Sequence, residues 1–480
     1  MQELAHHALN RAQVLGANYA DIRFVRRHFE TITVRDGHLD GLSIDESAGF
    51  GVRVLYDGSW GFASSATISR DEIERVTELA VAIAKASRTV QRAPVRLGAP
   101  ITTRGRYRTP VAEDPFEVSL EDKIALLMAA EAELRSVKGI RSAEASFGCQ
   151  KEEKTFASTE GAYIEQELIE TGCGIAATAV GDHDVQRRSY PNSFGRHQAT
   201  RGFELVREVD LVGNARRIAE EAVALLSAPA CPTTVTTVVL DPTQLALQVH
   251  ESIGHAIELD RVFGMEASFA GTSFLDPSML DGFRYGSELV NVVADATAPG
   301  GLGTFGFDDE GIPAQASPII ERGVFKGFLS SRETATQIGR ESNGTMRADG
   351  WQRMPIIRMT NVNLLPGEHS FERLIGEVDD GIYMHTNKSW SIDDKRLNFQ
   401  FGCEIAWEIK GGKLGRMLKN PTYTGLTPEF WANCDAIGDQ SLWQIWGTPN
   451  CGKGQPGQTA HVGHGAAPAR FRNVRVGILP

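Results

Sequence analysis

From residue 2 to 15 the apolar positions of QELAHHALNRAQVL recur at helical spacing and end at Gly16. Strand runs then flank Asp36-Gly37 and again Asp57-Gly58. An Asp-Gly step accommodates the positive φ of a tight hairpin, so two hairpins are expected there. Helical spacing returns over 70–87, with Ile73, Val76, Ala80 and Ile83 on one stripe. Residues 88–118 are rich in Pro, Arg and Thr without sustained periodicity and read as an extended connection. Ser119 is placed to cap a helix reaching about residue 137, followed by a meander of short strands from about 140 to 200 and a helix near 209–227.

The stretch SAPACPTT, 227–234, is small and proline-interrupted, and marks the best domain boundary. The 480 residues exceed what one hydrophobic core usually supports. The expected organisation is α+β with two domains: an α+β N-terminal domain over 1–228 and a mostly antiparallel β C-terminal domain over 229–480 that carries one conspicuous helix. Composition refines this only by exclusion. No apolar run approaches the roughly 20 residues of a membrane span, and the N-terminus lacks both parts of a signal peptide. A net charge of −12 argues against a nucleic-acid partner, whose phosphates demand a basic face. The cysteines, Cys149, Cys173, Cys231, Cys403, Cys434 and Cys451, form no CxxC pair, so reduced thiols and a cytoplasmic location are expected.

Three stretches carry candidate chemistry. GLGTFG, Gly301 to Gly306, matches a dinucleotide fingerprint, but FDDEGIP follows where a helix N-terminus is required, so a glycine-rich turn is the better reading. The acids of DDEG, 308–311, suit turn chemistry more than metal binding. HESIGH, His250 to His255, is different. TTVTTVVL ends at Asp241, and DPTQ offers an N-cap, a proline at the first helical position and a glutamine at the third, so a helix is expected to begin at Pro242 with His250 inside it. Histidines five apart diverge by about 140° on a regular helix. Either the helix is structural and the rings point apart, or it is irregular at Gly254, through a π-bulge or a bend, and the rings converge. A catalytic zinc site needs a third protein ligand. Cys451, in the loop-like WGTPNCGKGQPGQ beside Lys453, is a plausible thiolate for it. His461 and His464 lie close enough in sequence to be candidate site-wall residues.

Together with GANYADIRF, GFGVRVLYDGSWGFAS, GTFGFDDEGIP, RMTNVNLLPG and NCGKGQPGQ, the HESIGHAIELD block resembles the TldD/PmbA family over nearly the whole chain. The resemblance implies His250, His255 and Cys451 as metal ligands and Glu251 as the catalytic carboxylate. It implies one divalent metal, zinc first and iron as the alternative, and a metalloprotease of unfolded or small peptides. Extended peptides are the expected substrates, and a homodimer or a heterodimer with a TldE/PmbA-type paralogue the expected assembly. The segment 385–408 departs from the best-known members. Two competing classes are a non-catalytic partner subunit, disfavoured by retention of all four site residues, and a non-haem iron oxygenase, disfavoured by a cysteine in place of a carboxylate ligand.

Overall fold

Asp36 and Gly37, and then Asp57 and Gly58, all take positive φ (50°, 81°, 49° and 78°). These two steps close two-residue hairpins joining β1 (Tyr19–Arg35) to β2 (His38–Tyr56) and β2 to β3 (Ser59–Ser65). The computed structural model describes residues 1–193 and 196–477. In it the N-terminal half builds an eight-stranded sheet of order β3-β2-β1-β5-β6-β4, with β7 and β8 also paired to β6. The remaining strands are β4 (Arg104–Arg108), β5 (Ile140–Ser158), β6 (Tyr163–Val180), β7 (Val185–Tyr190) and β8 (His197–Ala199). The expected meander of short strands is therefore mainly one long antiparallel pair, of 19 and 18 residues. The pairing continues through the polar run at 150–154, where the apolar alternation of Ala143, Ala145, Phe147 and Cys149 stops. The extended connection holds an edge strand, β4, paired in parallel with β6.

Alternation along β1 separates two surfaces. Ile22 and Phe24 pack with helices α1 (Gln2–Val14) and α2 (Arg70–Arg88). Ile32 and Val34 pack with α3 (Leu120–Arg135) and, beyond the short α4 (Glu204–Val209), α5 (Leu211–Ser227). Two charged odd positions, Arg23 and Arg27, meet the C-terminal half. Arg23 pairs with Asp309 (3.4 Å), and Arg27 pairs with Asp349 (3.1 Å). On β2, Arg53 joins Asp21 (2.7 Å) to Glu310 (3.4 Å), all three fully or almost fully buried. The DDEG segment thus has two roles. Asp308 accepts the turn N–H groups of Glu310 and Ile312, as turn chemistry requires, while its neighbours neutralise the arginines of the sheet. Breaking a buried pair strands a charge. Arg53→Met, which leaves two carboxylates unpaired, is expected to destabilise the chain by roughly 3–5 kcal/mol in urea unfolding, and a loss under about 1 kcal/mol would show that these charges are solvated rather than paired.

In the C-terminal half, β9 (Thr234–Leu240) pairs in parallel with Asp380–Ile392 and antiparallel with Ala469–Val476. The seven-stranded path closes on itself, because Asp380–Ile392 pairs also with Asn398–Lys410. Helix α6 (Pro242–Val249) follows β9 directly, and its Gln244 and Gln248 both hydrogen-bond the Tyr423 hydroxyl of this sheet. The GLGTFG turn runs without a following helix and presses against the backbone of Thr360 and Asn361. A Cβ on Gly303 would lie 2.3 Å from Thr360, so glycine serves close approach there and not a phosphate. No helix among the described residues is long and apolar enough to cross a membrane.

Candidate metal centre

Asp241 caps α6 by accepting the Thr243 N–H at 2.9 Å, with Pro242 at the first helical position. The expected capping box forms by half, since the Gln244 side chain is drawn away to Tyr423 and Asn387. From His250 to Gly254 the backbone is a π-helix, and the His255 N–H bonds the His250 carbonyl at 3.1 Å. That wider i to i+5 turn brings the five-residue spacing onto one side. The two imidazole centroids lie 4.9 Å apart with their planes perpendicular.

Gly254 acts differently from the expectation that it relaxes the backbone. It keeps an ordinary negative φ, but an added Cβ would sit 2.2 Å from Met359 Sδ. Its role is to let a fully buried methionine press against the turn. Gly254→Ala is expected to cost about 1–3 kcal/mol through overpacking and to weaken metal retention with it. Differential scanning calorimetry and elemental analysis read the two effects, and a variant with wild-type melting would show that Met359 yields freely.

The hydrogen bonds behind the rings decide which nitrogens are available. His464 Nδ1 lies 3.1 Å from the Val362 carbonyl, which can only accept, so His464 is protonated there and its Nε2 is an acceptor. His250 Nδ1, 2.7 Å from that Nε2, must donate, leaving His250 Nε2 with a free lone pair. His255 Nδ1 likewise donates to Glu258 Oε2 at 2.9 Å, leaving its Nε2 bare. Burial holds all three imidazoles below the ordinary histidine pKa, so they are neutral. His464 therefore stands behind His250 rather than in the site wall. His461 lies elsewhere, paired with Glu170 of the N-terminal sheet.

Cys451 is placed differently from the loop expected for it. It lies in the strand Gln444–Lys453, opposite Ala460 of Gln458–Ala466, and is only 3% exposed. Lys453, expected beside the thiol, is buried with Asp260 (2.6 Å) and Glu258 (3.5 Å), so it neutralises the carboxylates behind His255. The cation serving the cysteine is Arg358, whose Nη2 donates to the Cys451 carbonyl. Burial pushes the thiol pKa up, and the Arg358 guanidinium pulls it down; His255, neutral here, would add to that pull only when protonated.

The ligand atoms of His250, His255 and Cys451 all lie within 4.8 Å of one another. His255 Nε2 and Cys451 Sγ are 3.6 Å apart. Zn–N of about 2.0–2.1 Å and Zn–S of about 2.3 Å at a tetrahedral angle separate N from S by about 3.6 Å. Two bare imidazole nitrogens and a thiol at that separation suit a borderline-soft divalent ion. The cluster opens into a cleft of about 530 Å³. Glu251 lines it, 6% exposed, with Oε2 accepting from Arg396 Nη1 at 2.7 Å.

Sequence reasoning missed Glu258, Arg358 and Arg396. Glu258 had a local signal, being an acid three residues after a candidate ligand histidine. Arg396 is 145 residues from Glu251 and had none.

Models of the PmbA/TldA metallopeptidases match the chain in three parts: domain 1 over 20–84, the central domain over 113–226 and the C-terminal domain over 233–477. A metalloprotease of Methanocaldococcus jannaschii is 31% identical over 453 residues, 94% of this chain and 96% of that protein. Among solved structures, a Thermotoga maritima protein described as a modulator of a DNA gyrase has a TM-score of 0.78 at 20% identity, covering 99% of this chain and 100% of the other. TldE of Thermococcus kodakarensis has a TM-score of 0.74 at 17% identity, with the same coverage. The two structures share the fold. With all three domain models matched and a full-length relative above 30% identity, the chain belongs to the PmbA/TldD family of metallopeptidases.

Proposed function

We propose that the chain is a metal-dependent peptidase of unfolded or small peptides, with His250, His255 and Cys451 as ligands and Glu251 as general base. The observation that carries this is the convergence of two bare imidazole nitrogens and one thiol beside a carboxylate on the same π-turn. A divalent ion held there, zinc in preference to iron given a thiol among the donors, would lower the pKa of water and polarise a scissile carbonyl. Glu251 accepts the proton of the attacking water at its carboxylate and returns it to the leaving amine. Arg396 orients that carboxylate through its 2.7 Å bond. His464 and Glu258 fix the two imidazoles from behind.

Three narrower readings belong to the same proposal. The working division is a unit over 1–228 and a metallopeptidase unit over 229–480, with the join between Ser227 and Thr234. Six unpaired cysteines suit a reducing, cytoplasmic setting. Likeness to TldE supports assembly with a second family member, either another copy or a TldE-type paralogue.

Elemental analysis combined with a peptide-library digest tests the proposal. Bound metal is expected, with cleavage lost on chelation and restored by zinc. A chain that holds no metal, or that cleaves nothing alone or with a TldE-type paralogue, would leave a non-catalytic subunit as the better reading.

A further inference from the structure

The cleft is electrostatically unlike the chain that builds it. Overall, 61 acidic residues outnumber 49 basic ones. Among the described residues lining the cleft, apart from the His/His/Cys donors, the charged side chains are Arg196, Arg396 and Glu251. Arg396 is placed there with care. It sits in the turn joining the strands Asp380–Ile392 and Asn398–Lys410, within the segment where the chain departs from the best-known family members. Its φ of 63° lies in the left-handed region, disfavoured for a residue with a Cβ. Asp393 holds that turn by accepting the Arg396 N–H (2.9 Å) on its carbonyl and the Leu397 N–H (2.8 Å) on its carboxylate, and the Thr427 hydroxyl donates to the Arg396 carbonyl at 2.8 Å.

The guanidinium so placed is underused. Its side chain is 14% exposed, and Nη1 serves Glu251, but Nε is buried without a hydrogen-bond partner. A guanidinium presents its donors as a fork matched to the two oxygens of a carboxylate. One oxygen of Glu251 engages one prong. A cationic fork left half-paired in the wall of a cleft calls for a second anion.

We infer that Arg396 anchors a carboxylate of the peptide substrate, either its C-terminal carboxylate or an Asp or Glu side chain near the scissile bond. This rests on the peptidase reading for where that bond lies. An anchor beside Glu251 sets the distance between the carboxylate and the attacked carbonyl, so it selects the cleavage position as well as the peptide. Trp390, Ala246 and Leu247 supply apolar wall for the residues between.

The test measures binding, so that it does not depend on turnover. Fluorescent peptides of one sequence are prepared with a free or an amidated C-terminus, and with Glu or Gln at an internal position. They are titrated by anisotropy against the metal-loaded full chain carrying Glu251→Gln, with and without Arg396→Gln, metal content being checked in each. At least about a 10-fold preference for one carboxylate-bearing peptide is expected in the parent, which Arg396→Gln abolishes. A free-over-amide contrast assigns the terminal carboxylate, and a Glu-over-Gln contrast the side chain. Equal binding of all peptides by the parent, or full discrimination surviving Arg396→Gln, would overturn the anchor. Should Arg396→Gln fold poorly, Arg396→Lys, which keeps the charge but not the fork, is expected to bind with reduced discrimination, and undiminished discrimination there would also overturn it. A wild-type chain that discriminates in this way yet cleaves nothing would sink the peptidase reading and leave the anchor standing.

Discussion

Glu251→Gln is expected to keep its metal and to lose peptide cleavage by about 10²–10⁴-fold or more. Glutamine has the size of glutamate, and its carbonyl oxygen can still accept from Arg396 Nη1 where Glu251 Oε2 does at 2.7 Å. The π-turn from His250 to Gly254 is set by backbone and by Met359, neither of which the substitution touches. The donor atoms of His250, His255 and Cys451 are likewise unchanged. What the amide cannot do is take a proton from water, so the loss appears in kcat with metal stoichiometry at its parent value. Undiminished cleavage would mean that another group is the base, and a loss of metal alongside activity would mean that Glu251 is structural.

Cys451→Ser carries the second large effect, on metal. Removing groups that merely orient ligands costs about 10–100-fold in metal affinity, so deleting a direct ligand is expected to exceed 100-fold. Serine is close in volume to cysteine, which matters because Cys451 packs among buried side chains of the C-terminal core instead of sitting free in a loop. The hydroxyl, however, does not ionise near neutral pH. The downward pull of Arg358 on the thiol pKa therefore has no counterpart in the variant. Chelator competition and elemental analysis read the affinity, and far-UV circular dichroism is expected to match the parent. Unchanged stoichiometry would remove Cys451 from the site.

Local backbone chemistry was legible along the chain. Asp36-Gly37 and Asp57-Gly58 make the hairpins they imply, and Asp241-Pro242 starts its helix where expected, because capping and positive φ are decided within a few residues. The five-residue histidine spacing also carried a structural consequence, since a metal reading required an irregular turn, and a π-turn is what forms. Long-range placement was not legible. Strand lengths in the N-terminal sheet were read too short because the apolar alternation of Ala143, Ala145, Phe147 and Cys149 gives way to the polar run at 150–154, while the pairing across the sheet continues through it. Nothing local to Arg23 and Arg53 indicates that the C-terminal half covers them and brings Asp309 and Glu310 against them.

At the metal centre the division is sharper. The residue types and the helix came from the chain itself, but their neighbours came from tertiary packing. His464 meets His250 across 214 residues, Cys451 meets His255 across 196, and Arg396 meets Glu251 across 145. Lys453 and Arg358 show the limit best. The lysine two residues from Cys451 points into the carboxylates behind His255, and the cation that serves the cysteine comes from 93 residues away. Residues two apart on a strand share a face, and Cys451 and Lys453 are both buried, so what each of them meets depends on which elements cover that face. Sequence proximity therefore determined the backbone turns of this protein, and only the closed fold decided which charges those turns would face.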